Sequence, residues 1–103
     1  MDRRNLELKL GHILYHLQET SVNVTGIIAA DTDGLFMEYF KQYLTDLFHR
    51  YTALFPAKVP EDFLIHHLVG SFAETVKWWI TEGTSRTPEE TAGFYMQVLQ
   101  MDR

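Results

Sequence analysis

The sequence predicts an all-α protein, a bundle of about four to five helices that forms one domain over residues 1–103. Two observations lead to this prediction. Apolar side chains recur at intervals of three or four residues in four separate stretches, which is the period of an amphipathic helix. The chain is also long enough, with 46% hydrophobic residues, to bury a single core without disulfides or metal ions.

The first predicted helix runs from about Asp2 to Glu19. Its apolar positions fall on one face and are Leu6, Leu10, Ile13, Leu14 and Leu17. The next stretch, residues 21–30, is rich in β-branched side chains around Gly26, which favours a strand. A single short strand would have no partner in this chain, so we predict an irregular segment or one short helix.

A turn precedes the second predicted helix. Asp31 and Asp33 in the stretch Asp-Thr-Asp-Gly are both suited to cap a helix. The helix that follows has the clearest apolar stripe in the chain, formed by Phe36, Phe40, Tyr43, Leu44, Leu47, Phe48 and Tyr51. We predict that it ends at Phe55-Pro56, because proline disfavours helical geometry at the residue before it.

The third predicted helix begins at Pro60 and runs to Glu82, with Gly83 as the stop signal. The fourth opens with Thr87-Pro88-Glu89-Glu90, the pattern of a capping box, and continues to about Met101. The third helix carries apolar residues nearly all the way round, and a helix of that kind must be buried on all sides. We therefore predict that another molecule, most simply a second copy of the chain, covers it.

Composition and charge exclude several classes of protein. The chain has no cysteine, and hence no thiolate nucleophile or cysteine-based zinc site. Its formal net charge of −5 and scattered basic residues argue against nucleic-acid binding by this chain alone. No apolar run is long enough to span a bilayer and the first residues do not form a signal peptide, so we expect a cytoplasmic protein without a membrane partner.

Three stretches of the second half resemble the end of TetR-family transcriptional regulators. They are FLIHHLVGSF at residues 63–72, VKWWITEG at residues 76–83 and TPEE at residues 87–90. They are most similar to the subgroup that includes activators of dihydroxyacetone kinase operons. The resemblance is carried by an apolar helix with a central glycine, a tryptophan near its end, a short glycine-containing loop and the Pro88 box. The first sixty residues are compatible with the family by pattern only.

The resemblance implies that this chain is the C-terminal domain of such a regulator, which senses an effector and dimerises. It also implies that the last two helices of each subunit form a four-helix dimer interface. Family members begin with a helix-turn-helix domain that nothing here matches, so DNA would be bound only through that absent domain. The first helix is then expected to transmit the effector signal. The residues expected at the interface between subunits are Val69, Phe72, Val76, Trp79, Ile80, Tyr95, Val98 and Leu99.

An excess of aromatic side chains with hydroxyl groups suits the wall of a ligand pocket. The residues that we expect to line an effector pocket are Tyr15, Phe36, Tyr39, Phe40, Tyr43 and His66. The effector itself is unidentified, and we expect no enzyme activity, no cofactor and no metal.

Two other functions remain open at this point. One is a protein-docking module that responds to a partner protein instead of a small molecule. The other is a small helical metal protein or enzyme. It would use His12, His16 and Glu19, because histidines four residues apart on a helix can hold one ion.

Overall fold

The secondary structure is entirely helical in the part of the chain that the computed structural model describes, residues 3–19, 34–55, 58–82 and 85–100. It consists of α1 (Arg3–Glu19), α2 (Leu35–His49), a 3-10 turn (Thr52–Leu54), α3 (Glu61–Thr81) and α4 (Pro88–Gln100). The predicted all-α class is therefore confirmed. None of the described helices has the length and apolar character needed to cross a membrane.

The helix boundaries agree with the sequence prediction except at the end of α2. This helix stops at His49, several residues before the predicted end at Phe55-Pro56. The backbone N–H groups of Arg50 and Tyr51 bond to carbonyl groups three residues back, and this tightens the chain into the 3-10 turn. Tyr51 remains buried although it lies beyond the helix, so the apolar stripe continues after the helical geometry has ended.

The start of α4 has the predicted capping box, with both of its reciprocal hydrogen bonds. The Glu90 backbone N–H donates to the Thr87 Oγ1 atom at 3.0 Å. The Thr87 backbone N–H donates to Glu90 Oε1 at 2.9 Å. Two backbone donors that the helix leaves unpaired are thereby satisfied, which fixes where α4 begins.

The start of α2 is set by Gly34, which has a φ of 75° at the position before the helix. A residue with a side chain is strained in this left-handed conformation, so glycine suits it. The predicted capping residues Asp31 and Asp33 lie outside the described residues. The predicted irregular or helical segment at residues 21–30 lies there as well.

The four helices pack as two pairs. α1 packs mainly on α4, and α2 packs mainly on α3. Gly11 of α1 lies against α4, where a Cβ atom added to it would be 3.7 Å from the Cβ of Ala92. Small residues on both helices allow this close approach. The pairing leaves open space between α3 and α4 and between α1 and α2, and these two gaps hold the features described below.

One core unites the pairs, and α3 contributes most to it. The buried residues of α3 are Ile65, Leu68, Val69, Phe72, Ala73, Val76 and Trp79. The expectation that α3 needs cover on all sides from a second copy is thus too broad, because its own chain buries most of its apolar surface. The large apolar side chains of α3 that remain exposed are Phe63 and Trp78.

Candidate functional site

The larger of the two gaps is an open groove of about 610 Å³ between α3 and α4. Its rim carries three large apolar side chains that are at least 40% exposed, namely Trp78, Phe94 and Val98. Leu99 extends the apolar surface and is half-buried. Apolar groups gathered at one exposed place on a small domain are typical of a surface that another molecule covers.

Hydroxyl groups form the floor of this α3–α4 groove. The buried Tyr95 hydroxyl donates to the Leu68 carbonyl oxygen at 2.7 Å, and the Ser71 Oγ atom lies 3.0 Å from the Tyr95 oxygen. Burial raises the pKa of Tyr95 above its usual range, and the hydrogen bond with Ser71 lowers that pKa to a smaller extent. The phenol is therefore neutral at physiological pH and ties α4 to the backbone of α3.

A third hydroxyl on the groove floor has no hydrogen-bond partner within the described part of the chain. It belongs to Thr91, a wholly buried residue whose Oγ1 atom is unpaired. An unpaired hydroxyl in an apolar interior costs about 1–3 kcal/mol, because the hydrogen bonds it makes with water are lost without replacement.

Arg86, just before α4, contacts an aromatic residue on each of the two helices. The indole N–H of the buried Trp79 donates to the Arg86 carbonyl oxygen at 2.9 Å. The Arg86 guanidinium carbon lies 5.4 Å from the ring centre of Phe94, a distance suited to a cation–π interaction. Together with the capping box at Thr87, these contacts fix the relative positions of the two helices that border the groove.

The structure divides the predicted subunit interface into core and surface. Five of the predicted residues are already buried inside the single chain, and they are Val69, Phe72, Val76, Trp79 and Tyr95. These five belong to the core of the single chain, and their predicted role at an interface stays a prediction. Ile80 and Leu99 are half-buried, and Val98 is 63% exposed, so these three remain available at the surface.

The predicted effector pocket is not assembled in the structure. Tyr15, Tyr39, Tyr43 and His66 are exposed, and they lie on three different helices. Phe36 and Phe40 are half-buried and stack on each other, with ring centres 6.1 Å apart. Helical spacing shows which residues share a face of one helix, but it does not show which faces of different helices meet. No gap among the described residues brings the six together, and their role in binding an effector stays a prediction.

The second gap is a cleft of about 310 Å³ between α1 and α2. The α1 wall is formed by Lys9, His12, Ile13 and His16, and the α2 wall by Tyr43, Asp46, Leu47 and Arg50. Of the predicted pocket residues, Tyr43 is the one that this α1–α2 cleft contains. Tyr15 borders a separate cleft with Glu7, Leu8, Gly11, His12 and Glu89.

The possible metal site on α1 is not formed. The His12 and His16 rings stack with their centres 4.5 Å apart. Glu19 bonds to the hydroxyl of Tyr15 instead, and its negative charge and hydrogen bond raise the Tyr15 pKa. No group of three or more metal-ligating side chains able to hold an ion occurs among the residues that the structure describes.

Of the three exposed residues on the groove rim, the sequence prediction includes Val98 but not Trp78 or Phe94. Ser71 and Thr91 of the groove floor belong to no predicted site. Ser71, Thr75 and Trp78 follow helical spacing on α3, as Thr91, Phe94 and Val98 do on α4. Two matching stripes on consecutive helices were the available signal.

A family model for a transcriptional regulator C-terminal region of the TetR type matches residues 4–101. The match spans nearly the whole chain, including α1 and α2 as well as the helices that carry the resemblance described above. No curated protein and no solved structure gives a significant match. The chain therefore belongs to the family of TetR-type transcriptional regulator C-terminal regions.

Proposed function

We propose that this chain is the regulatory domain of a TetR-like transcriptional regulator that dimerises through the α3–α4 groove and responds to a small-molecule effector. The observation that carries the proposal is the exposed apolar surface of Trp78, Phe94 and Val98 on the last two helices of a regulator domain. These helices are the ones for which the TetR resemblance implies a four-helix interface between subunits.

The shape of the groove supports a second copy as its occupant. Phe94 and Val98 are four residues apart on α4, so they form a ridge beside the groove. In a twofold dimer the same patch lies on both subunits, and the ridge of each chain can enter the groove of the other. A stable interface needs about 800 Å² from each partner with an apolar centre and a polar rim. The aromatic centre and the neighbouring Glu74, His67 and Thr75 provide that pattern.

The regulatory role follows the family assignment. In this proposal the chain has no enzymatic role and works in the cytoplasm, and the DNA contacts of the regulator belong to a separate helix-turn-helix domain. An effector that shifts α1 would change the separation of the two recognition helices in the dimer. Half-sites on DNA are about 34–36 Å apart for each helical turn, so a small shift changes the affinity for the operator. Membership of the subgroup of dihydroxyacetone kinase operon activators is part of the proposal.

The interface is tested with a charge placed at the groove rim. Val98→Glu puts a carboxylate where a partner would have to bury it, and we expect the dimer dissociation constant to rise about a hundredfold or more. Val98 is exposed in the single chain, so its fold is expected to remain intact, as checked by circular dichroism.

Val59→Glu is the matched control. Val59 is another exposed valine, but it lies just before α3 and away from the groove, so we expect an unchanged dimer. Sedimentation equilibrium on both variants and the unmodified chain gives the comparison. Equal dimerisation of the Val98→Glu variant and the unmodified chain would rule out this interface. A monomeric unmodified chain would instead favour docking of a different protein at the groove.

A further inference from the structure

The α1–α2 cleft indicates which class of effector the domain binds. This inference rests on the proposed regulatory function. Its two walls are built in the same way. Lys9, His12, Ile13 and His16 lie at intervals of three, one and three residues on α1, and Tyr43, Asp46, Leu47 and Arg50 repeat those intervals on α2. Positions spaced like this form one stripe on a helix, so two stripes face each other across the cleft.

The stripes differ from those of an ordinary helix contact in their polarity. Packed helices usually meet through apolar residues, whereas only Ile13 and Leu47 are aliphatic here. Leu47 is buried and Ile13 packs against the core, so these two form the floor. The other six side chains are exposed around it. Water can hydrate these polar side chains while the cleft is open. The fold therefore gains little from direct packing of α1 on α2 at this place.

The fixed charges in the cleft favour an anion. Lys9 and Arg50 supply two positive charges and Asp46 supplies one negative charge, in a chain whose formal net charge is −5. Neither Lys9 nor Arg50 forms an ion pair within the described ranges, where the ion pairs are His49–Glu61 and Lys77–Glu74. Since no carboxylate in the described part of the chain pairs with either cation, both can turn towards a ligand.

The remaining side chains of the cleft are suited to the same ligand. The imidazole ring of His12 and the hydroxyl of Tyr43 can each donate a hydrogen bond to an oxygen atom. A guanidinium group binds the planar or tetrahedral arrangement of oxygen atoms in carboxylates and phosphates with two parallel hydrogen bonds. A metal cation fits poorly here, because Lys9 and Arg50 would repel it. The volume, about 310 Å³, is at the lower end of the range for small-molecule sites.

We propose that the α1–α2 cleft binds a small organic anion through a carboxylate or phosphate group, held between Lys9 on α1 and Arg50 at the end of α2. Such a ligand contacts both helices at a place where each packs mainly on another helix. It thus fixes the position of α1 relative to α2, which gives the effector a physical means to move the helix that transmits the signal.

The test uses the full chain and two probes, inorganic phosphate and succinate, each added at constant ionic strength. Two-dimensional NMR spectra of the backbone amides and histidine rings report binding. We expect saturable shifts at Lys9, His12, His16 and Arg50 with at least one probe. The double variant Lys9→Ala/Arg50→Ala should weaken the binding of that probe about tenfold or more, because the charge-assisted hydrogen bonds are lost.

Lys41→Ala/Lys58→Ala is the control, because it removes two exposed cations outside the cleft and changes the net charge equally. It should leave the affinity within about twofold, while Asp46→Asn should increase it several-fold by removing a repelling charge. The two probes separate phosphate from carboxylate recognition. Absence of saturable shifts with both probes, or equal weakening by the two double variants, would overturn the proposal.

Two further outcomes are informative. If a tetraglutamate peptide shifts the same resonances while neither small anion does, the cleft is a peptide site and the small-anion proposal is wrong. The molecular mass is measured in the same samples to separate this proposal from the dimer. A dimer that binds neither probe refutes the anion site alone. A monomer that binds phosphate supports the anion site and refutes the proposed interface.

Discussion

The α3–α4 groove and the α1–α2 cleft both arise from the way the helices pair, but the groove is lined by apolar side chains and the cleft mainly by charged and polar ones. Each lies between two helices that pack mainly on other partners. The groove is bordered by exposed Trp78, Phe94 and Val98 above a floor of hydroxyl groups. The cleft has a small aliphatic floor bordered by charged and imidazole side chains.

This difference shows how the lining of a gap selects what can fill it. Exposed apolar surface costs about 25 cal/mol for each Å² that stays in contact with water, so the groove favours a partner that covers it. The polar groups of the cleft lose little by remaining in water, and only a ligand that replaces their hydration can bind there. We therefore expect substitutions at the groove to change stability or association, and substitutions in the cleft to change ligand binding alone.

The largest expected effect separates the two adjacent tryptophans of α3. Trp79 is buried and its indole N–H donates to the Arg86 carbonyl oxygen, so Trp79→Ala is expected to lower the free energy of unfolding by about 3–5 kcal/mol. Trp78 is 40% exposed on the rim, and Trp78→Ala should cost less than about 1 kcal/mol in the Val98→Glu background.

Chemical denaturation of both variants measures these costs, and sedimentation shows whether Trp78→Ala weakens the dimer. Equal losses of stability at the two tryptophans would contradict the division of α3 into a core face and a partner face.

The groove floor is tested next with Tyr95→Phe, which removes a buried hydroxyl. We expect a loss of about 1–2 kcal/mol at pH 7, because the hydrogen bond to the Leu68 carbonyl disappears. Burial holds the pKa of Tyr95 in the folded chain above its value in the unfolded chain, which is about 10. Above that pH the folded state retains a proton that the unfolded state loses, so the contribution of Tyr95 to stability falls as the pH rises.

The measurement is the free energy of unfolding of both proteins between pH 7 and pH 11. The advantage of the unmodified chain over the Tyr95→Phe variant should be constant up to about pH 9 and should shrink above about pH 10. An advantage that grows with pH would mean that the phenol is not held in its neutral form by burial.

A smaller effect, of opposite sign, is expected at the unpaired hydroxyl of the groove. Thr91→Val keeps the shape of the side chain and removes the buried Oγ1 atom, so it should stabilise the fold by about 1 kcal/mol. Thr45→Val serves as the control. Thr45 is half-buried and its hydroxyl donates to the Lys41 carbonyl oxygen at 2.8 Å, so no such gain is expected there. Thermal unfolding of both variants measures the change in stability. A loss of stability in the Thr91→Val variant would show that the Thr91 hydroxyl is paired in solution.

The smallest change in stability is expected in the cleft. Lys9→Ala/Arg50→Ala should alter the free energy of unfolding by less than about 0.5 kcal/mol without added anion, because both side chains are exposed and neither forms an ion pair within the described ranges. Denaturation with and without phosphate provides the comparison. A large destabilisation in the absence of anion would indicate that the cleft has a structural role.

The sequence predicts the helices of this domain better than it predicts its sites. Apolar periodicity and the Thr87–Glu90 capping box act within one helix, so they located α1, α3 and α4 closely. The early end of α2 arises from hydrogen bonds in the turn after His49, which apolar spacing does not report. The two sites depend on which helices pack on each other. The residue pattern within one helix does not show which other helix packs on it. For this reason apolar spacing alone does not reveal that Trp79 and Tyr95, which it places at an interface, are buried within the single chain.

The most direct test of the central claim, dimerisation through the groove, is the solution mass of the unmodified chain by sedimentation equilibrium over a wide range of concentrations. If the groove is a dimer interface, we expect a species near twice 12.1 kDa that dissociates only on dilution. A soluble, folded chain that remains at 12.1 kDa at the highest concentrations would contradict it.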